Sequence, residues 1–244
     1  MTDGSKSILL HFDTMNNPNP KHHGKDMQLW SHDDGMSWGE KRVLSYPPEE
    51  NLGALIGPSV GLQAADGTLY YSACQTDGSG HFLYWSKDLG KSWTASKGIK
   101  GLGECSIAFL VDPKDGRIIM DCRTGAGPRS QVTWAANGTQ ISPVTKPPFH
   151  FGPGCQGSIV NAGGTLYASN PNTTRGRSHM AVKFSQDLGA SWHGLVNVFS
   201  GPSGYSQLVP LGGAAGELGL LFEAGVKGTY DTISFVKVQP KKNN

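Results

Sequence analysis

Five side chains with chemical reach are spread along the chain from residue 104 to residue 223. Glu104 is followed nineteen residues later by Arg123, and Arg177, Tyr205 and Glu223 come after them. A carboxylate can take a proton. A guanidinium grips a carboxylate through two parallel hydrogen bonds that lysine cannot copy. A phenol, with an ordinary pKa of about 10, becomes a nucleophile at neutral pH only beside a base. Each residue also has a bland alternative. Taken alone, Tyr205 reads as a half-buried core aromatic and Glu104 as a solvated turn carboxylate, while Glu223 reads equally as a satisfied buried acid. Arg123 reads as an ion-pair partner of Asp121 or Glu104, and Arg175 competes with Arg177. His22 and His23 suggest a metal site, but adjacent histidines on an Asn/Pro-rich loop read as solvent-facing. No metal or cofactor is expected.

Composition narrows the classes. Gly and Pro supply 34 and 15 of the 244 residues, so the backbone turns often. With 21 basic against 19 acidic side chains, the net charge is +2, and the one basic cluster is Lys241-Lys242 at the tail. No clustered basic face marks a nucleic-acid reader. No apolar run reaches the ~20 residues of a membrane span, and Met1-Thr2-Asp3-Gly4 is not a signal peptide. Cys74, Cys105, Cys122 and Cys155 are too few and too dispersed for a disulfide-dense scaffold or a CxxC metal site. They read as small buried residues, of which a pair such as Cys105 and Cys122 bridges if the compartment is oxidising. Asn137-Gly-Thr and Asn172-Thr-Thr are glycosylation sequons of a kind that chance also produces.

Strands must position these groups. Runs such as Thr68–Ser72, His81–Trp85, Arg117–Met120 and Thr232–Val238 alternate between Gly, Asp and Pro turns, which predicts many short antiparallel strands. Asp66-Gly67 and Asp115-Gly116 read as hairpin turns. The pattern S-x-D-x-G-x-x-W occurs from Ser31 to Trp38, from Ser86 to Trp93 and from Ser185 to Trp192, with a degenerate copy from Trp134 to Ile141. The starts at 31, 86, 134 and 185 are 55, 48 and 51 residues apart, a period that suits one four-stranded sheet per repeat, as in a propeller blade. In each copy the Asp is expected to accept backbone N–H groups, the Gly to supply positive φ and the Trp to bury its ring under the turn. These residues are structural.

The repeated box resembles the Asp-box of sialidases (neuraminidases), which unrelated propellers also carry. Gly103-Glu104-Cys105-Ser-Ile with Arg123 resembles the family's catalytic Glu followed by a triad arginine. Ser169-Asn170-Pro171, Arg177-Ser-His-Met180 and the box at Ser185 resemble the segment with another triad arginine. Gly201-Pro-Ser-Gly-Tyr205-Ser-Gln-Leu208 is similar to the nucleophilic tyrosine motif, and Leu220-Leu-Phe-Glu223 to the family's L-Y-E, whose Glu supports the first triad arginine. Order and spacing hold from roughly residue 20 to 238, closest to the animal, lysosomal-type sialidases. The resemblance implies an all-β six-bladed propeller and a retaining exo-sialidase that releases terminal sialic acid from glycoprotein, glycolipid or oligosaccharide. Tyr205 would be its nucleophile, Glu104 the base, Arg123 and Arg177 the carboxylate clamp and Glu223 a supporting acid. A neutral tyrosine suits a sugar whose anomeric carbon bears a carboxylate, because an anionic nucleophile would be repelled.

The chain departs from the family at its start. Sialidases open with an F-R-I-P strand bearing the first triad arginine, then a loop whose Asp is the general acid. No F-R-I-P occurs, and an ungapped match of the opening segment puts Lys21 where that Asp belongs. Residues 1–244 therefore read as one propeller domain of about five blades, N-terminally incomplete, with Ser7–Phe12 opening the second blade. Two other readings stand beside the hydrolase. One is a non-catalytic propeller binding sialylated glycans through Arg123 and Arg177. The other is a protein-interaction propeller that keeps its boxes for folding, which the in-register Glu104, Tyr205 and arginines disfavour. Compartment and any protective protein partner are not readable from the residues.

Overall fold

The computed structural model describes residues 7–13, 26–44, 54–75, 80–212 and 217–239. Among them every regular element is a strand, so none is a helix long and apolar enough to cross a membrane. His22, His23 and Lys21 lie outside the described residues. Backbone contacts divide the chain into two units: residues 1–57 with 61–101, and residues 58–60 with 102–244.

In the first unit, β1 (Ile8–Asp13) pairs with β2 (Asp26–Ser31), which pairs with β3 (Arg42–Val43), all antiparallel. A second sheet contains β4 (Ala54–Ile56), β5 (Leu62–Gln63), β6 (Leu69–Gln75), β7 (His81–Ser86) and β8 (Thr94–Ala95), with β4 and β5 both on β6. Asp66-Gly67 makes the expected turn into β6: Gly67 has φ +88°, and Asp66 accepts the Thr68 N–H at 2.9 Å. The core is aromatic. Tyr71 stacks on Tyr84, and His11 and Trp93 meet the Tyr71 ring edge-on. Burial there pushes His11 down to about 4, which keeps its imidazole neutral.

The three intact boxes close in the same way. Ser31, Ser86 and Ser185 donate to the box Asp at 2.9, 2.7 and 2.7 Å, and each Asp accepts the N–H four residues on at 2.9 Å. The box glycines sit at φ +89°, +80° and +89°, and the preceding Asp34, Leu89 and Leu188 are left-handed too. Two consecutive left-handed residues reverse the chain within one turn. Trp93 and Trp192 are buried as expected, but Trp38 is 40% exposed. It lies between β2 and β3 of the three-stranded sheet, on which Ile8, Leu10 and Val43 are also open. A glutamine outside the motif completes the other two boxes. Gln28 donates to the Gly90 carbonyl at 2.9 Å and accepts the Trp93 indole N–H at 3.4 Å. Gln131, with its amide oriented to satisfy both atoms, does the same for Gly189 and Trp192 at 2.9 and 3.1 Å.

The second unit carries the site. Strands β9 (Cys105–Phe109) and β10 (Ile118–Cys122) are buried throughout; after β11 (Ala126–Pro128), β12 (Ser130–Trp134) joins the other edge of β10. β13 (Phe151–Pro153) pairs with β11. A six-stranded sheet follows in chain order: β14 (Ser158–Ala162), β15 (Thr165–Pro171), β16 (Ser178–Ser185), β17 (His193–Pro210), β18 (Leu218–Ala224) and β19 (Thr232–Val238). Strand β17 is long enough to serve two partners. Up to Pro202 it pairs with β16, and from Ser203 with β18. Met180, Leu208, Leu218 and Leu220, all essentially inaccessible, pack this change of partner.

Candidate active site

Two neighbouring strands present the first pair. Cys105 and Cys122 face each other in the β9–β10 register and form a disulfide. Glu104 and Arg123 are the next residues outward, where the ladder continues: the Arg123 N–H donates to the Glu104 carbonyl at 2.8 Å and the Gly103 N–H to the Arg123 carbonyl at 2.9 Å. The side chains are thereby set side by side, and Arg123 Nη1 donates to Glu104 Oε2 at 2.6 Å. Of Asp121 and Glu104, Arg123 pairs with Glu104.

Tyr205 reaches this pair from a separation of 101 residues, and its hydroxyl donates to Glu104 Oε1. It sits where the β17–β18 register slips between Ser203 and Ser206. The slip turns the Tyr205 N–H out of the ladder, and Glu223 Oε2 accepts it at 2.8 Å. Gly204 makes room, because a Cβ there would collide with that carboxylate oxygen. Gln156 secures the strand behind the tyrosine by accepting the Ser206 N–H at 2.9 Å and donating to the Ser206 carbonyl at 3.1 Å.

Arg177, just before β16, lays its guanidinium carbon 5.6 Å from the centre of the Tyr205 ring. Its Nη1 donates to the Tyr230 hydroxyl at 2.7 Å and its Nη2 to the Gly154 carbonyl at 3.4 Å. Arg175, the alternative, is exposed on the turn. The structure thus brings Glu104, Arg123, Arg177, Tyr205 and Glu223 together, and a cavity of about 220 Å³ opens at Tyr205 and Glu223, lined also by Gln156, Gln207, Leu221 and Ile233.

Burial, reinforced by the Glu104 carboxylate, pushes the Tyr205 phenol up to about 12, although Arg123 pulls the other way. The phenol is neutral near pH 7 and its proton already points at a carboxylate. Such an arrangement can deprotonate the tyrosine as it attacks, while two guanidinium groups attract an anion.

Beneath the site lies a buried network with no sequence motif. Asp121 accepts Arg129 Nε at 2.7 Å and His150 Nε2 at 2.7 Å, and all three side chains are inaccessible. Burial alone would raise the Asp121 pKa, but Arg129 and His150 hold it well below the carboxylate range. Arg129 Nη1 donates to the Cys155 carbonyl at 2.8 Å, next to the Gly154 that meets Arg177. His150 stacks on Trp192 at 4.5 Å, which links the network to a box. Residues 121, 129 and 150 are common types at irregular spacing. Among them only Asp121 carried a sequence signal, as a partner for Arg123, and it serves Arg129 instead.

Comparison with known proteins follows the same lines. Sialidase-3 of Rattus norvegicus is 26% identical over 275 residues, covering 85% of this chain and 65% of that protein. The family described as BNR repeat-like domain matches residues 1–219. The chain belongs to the BNR repeat-like sialidase family. A Hadza microbial sialidase, Hz136, superposes with a TM-score of 0.74 at 25% identity, over 93% of this sialidase-family chain and 46% of its own. The Trypanosoma rangeli sialidase gives a TM-score of 0.64 at 18% identity over 95% and 42%, a likeness of fold. The chain has the all-β fold of the sialidase propellers. This family member spans less than two thirds of the length of Sialidase-3 and less than half of Hz136.

Proposed function

We propose that the chain carries the working face of an exo-sialidase, a retaining glycoside hydrolase that releases terminal sialic acid from glycoproteins, glycolipids or oligosaccharides. The observation that carries the reading is the Tyr205–Glu104–Arg123 contact, which joins a phenol to a carboxylate 101 residues away and the carboxylate to a guanidinium.

Arg123 and Arg177 would hold the sugar carboxylate by charge-assisted hydrogen bonds. The Tyr205 oxygen then attacks the anomeric carbon as its proton passes to Glu104 Oε1. The bond to the leaving oxygen breaks, and that oxygen takes its proton from a group outside these five residues. Water attacks the glycosyl–tyrosine on the opposite face and gives its proton to the group that protonated the leaving oxygen, Glu104 returns the other proton to the departing phenol oxygen, and configuration is retained. Glu223 holds the Tyr205 backbone, so its part is to aim the nucleophile. The Trypanosoma rangeli sialidase was solved with 2,3-difluorosialic acid as a covalent intermediate. The proposal extends such an adduct to Tyr205.

The test is Tyr205→Phe assayed on a fluorogenic sialoside. Most turnover should vanish while sialic acid binding survives, because only the nucleophilic oxygen is lost. Equal turnover in the two proteins would remove Tyr205 from the reaction. A protein that binds the sugar but never turns it over, with or without Tyr205, would make this a sialoglycan-binding propeller.

A further inference from the structure

We propose that Tyr230 is a positioning residue for the substrate grip: its phenol oxygen fixes the Arg177 guanidinium without neutralising it. The inference rests on the sialic acid reading above for what the arginine grips, but the contact stands on its own geometry.

The three arginines near the site are held differently. Arg123 shares the Glu104 carboxylate, and Arg129 is matched by buried Asp121. Arg177 has two neutral acceptors, the Tyr230 hydroxyl at 2.7 Å and the Gly154 carbonyl at 3.4 Å, the second long and weak. A neutral acceptor restrains direction while leaving the positive charge unspent, so Arg177 keeps its full charge for an incoming carboxylate. An arginine ordered in advance also forfeits less side-chain entropy when the anion arrives.

Tyr230 is built for this post. It is 67% exposed, which rules out a core role. Yet the turn that carries it, between β18 and β19, is tied down: Asp231 Oδ2 accepts the N–H groups of Val226, Lys227 and Gly228 at 3.0, 3.0 and 3.2 Å. The Gly225 N–H anchors the turn to the Pro202 carbonyl at 3.0 Å, in the strand that carries Tyr205. Arg177 in turn accepts the Ser203 N–H on its own carbonyl at 2.9 Å, so both ends of the Arg177–Tyr230 contact hang from one stretch of β17.

The experiment compares the full chain with Tyr230→Phe, which keeps the ring and removes the oxygen. Binding of N-acetylneuraminate, followed by calorimetry, should weaken about tenfold, the scale of a hydrogen bond to a charged group. On a fluorogenic sialoside the loss should fall on KM with kcat unchanged, the reverse of Tyr205→Phe. In arginine-labelled protein the Arg177 Nη resonances, resolved in the wild type, should collapse in the variant as the guanidinium begins to rotate. This readout needs no ligand. A wild type that ignores N-acetylneuraminate while the Nη signals still collapse on substitution would overturn the sialic acid reading and uphold Tyr230. Unchanged Nη signals, or equal affinity in two proteins that both bind, would overturn Tyr230.

Discussion

Tyr205 is a phenol whose burial and carboxylate neighbour make ionisation harder, up to about 12, at a place where the proposed hydrolysis needs an oxygen nucleophile. The two facts agree if the proton leaves during attack rather than before it. Glu104 then has two effects that one substitution separates from burial. In Glu104→Gln, turnover should fall by roughly 10²–10⁴-fold with the loss of the base. The Tyr205 titration, followed by NMR of labelled tyrosine, should move down from about 12 toward the ordinary value near 10, stopping short because burial remains. An unchanged titration would mean that Glu104 does not act on the phenol. At this scale the sequence was informative where family motifs exist and silent elsewhere. Glu104, Arg123, Arg177 and Tyr205 sit in recognisable local strings. Asp121, Arg129 and His150 do not, since their partnership is made only when β10, β12 and the approach to β13 fold together. Tyr230 in a turn carries no pattern at all.

At the scale of elements, the boxes were legible because every bond that defines them is local, spanning two to four residues. What escaped was their coupling to a neighbouring strand. Gln28 and Gln131 stand 62 and 58 positions before the glycines they meet, and nothing in their flanking residues announces it. The exposure of Trp38 escaped too, because a motif specifies a turn and not what packs over its ring. The box carboxylates give a pH test. The hydroxyl and N–H of Ser191 draw the Asp187 pKa from 3.8 down to about 2. Its contribution to stability is therefore complete above pH 3.8 and lost as pH falls through about 2. In urea titrations, wild type and Asp187→Asn should differ most above pH 4 and converge near pH 2. A difference that stays constant across that range would show that the charge of Asp187 does not support the turn. The Cys105–Cys122 bridge works on the same scale: it staples β9 to β10 one residue short of Glu104 and Arg123, so the covalent link and the ion pair share one register.

For the whole molecule, the all-β architecture followed from the alternating runs and the repeat period of about 50 residues, and the likeness to solved sialidases bears it out. The convergence of the site was not readable from spacing alone. Strand β17 lies far in sequence from the β9–β10 pair, and the slip at Ser203–Ser206 aims Tyr205 at Glu104. The central claim is that this tyrosine forms a bond to the anomeric carbon of a sialic acid. The most direct measurement is to incubate the chain with 2,3-difluorosialic acid and locate any added mass by peptide sequencing. Fluoride leaves without help from a general acid, so the trial isolates the nucleophile and its carboxylate base. The account predicts one glycosyl adduct on the peptide that contains Tyr205, absent from Tyr205→Phe. An adduct on another residue, or no adduct on a folded chain that binds the sugar, would contradict it.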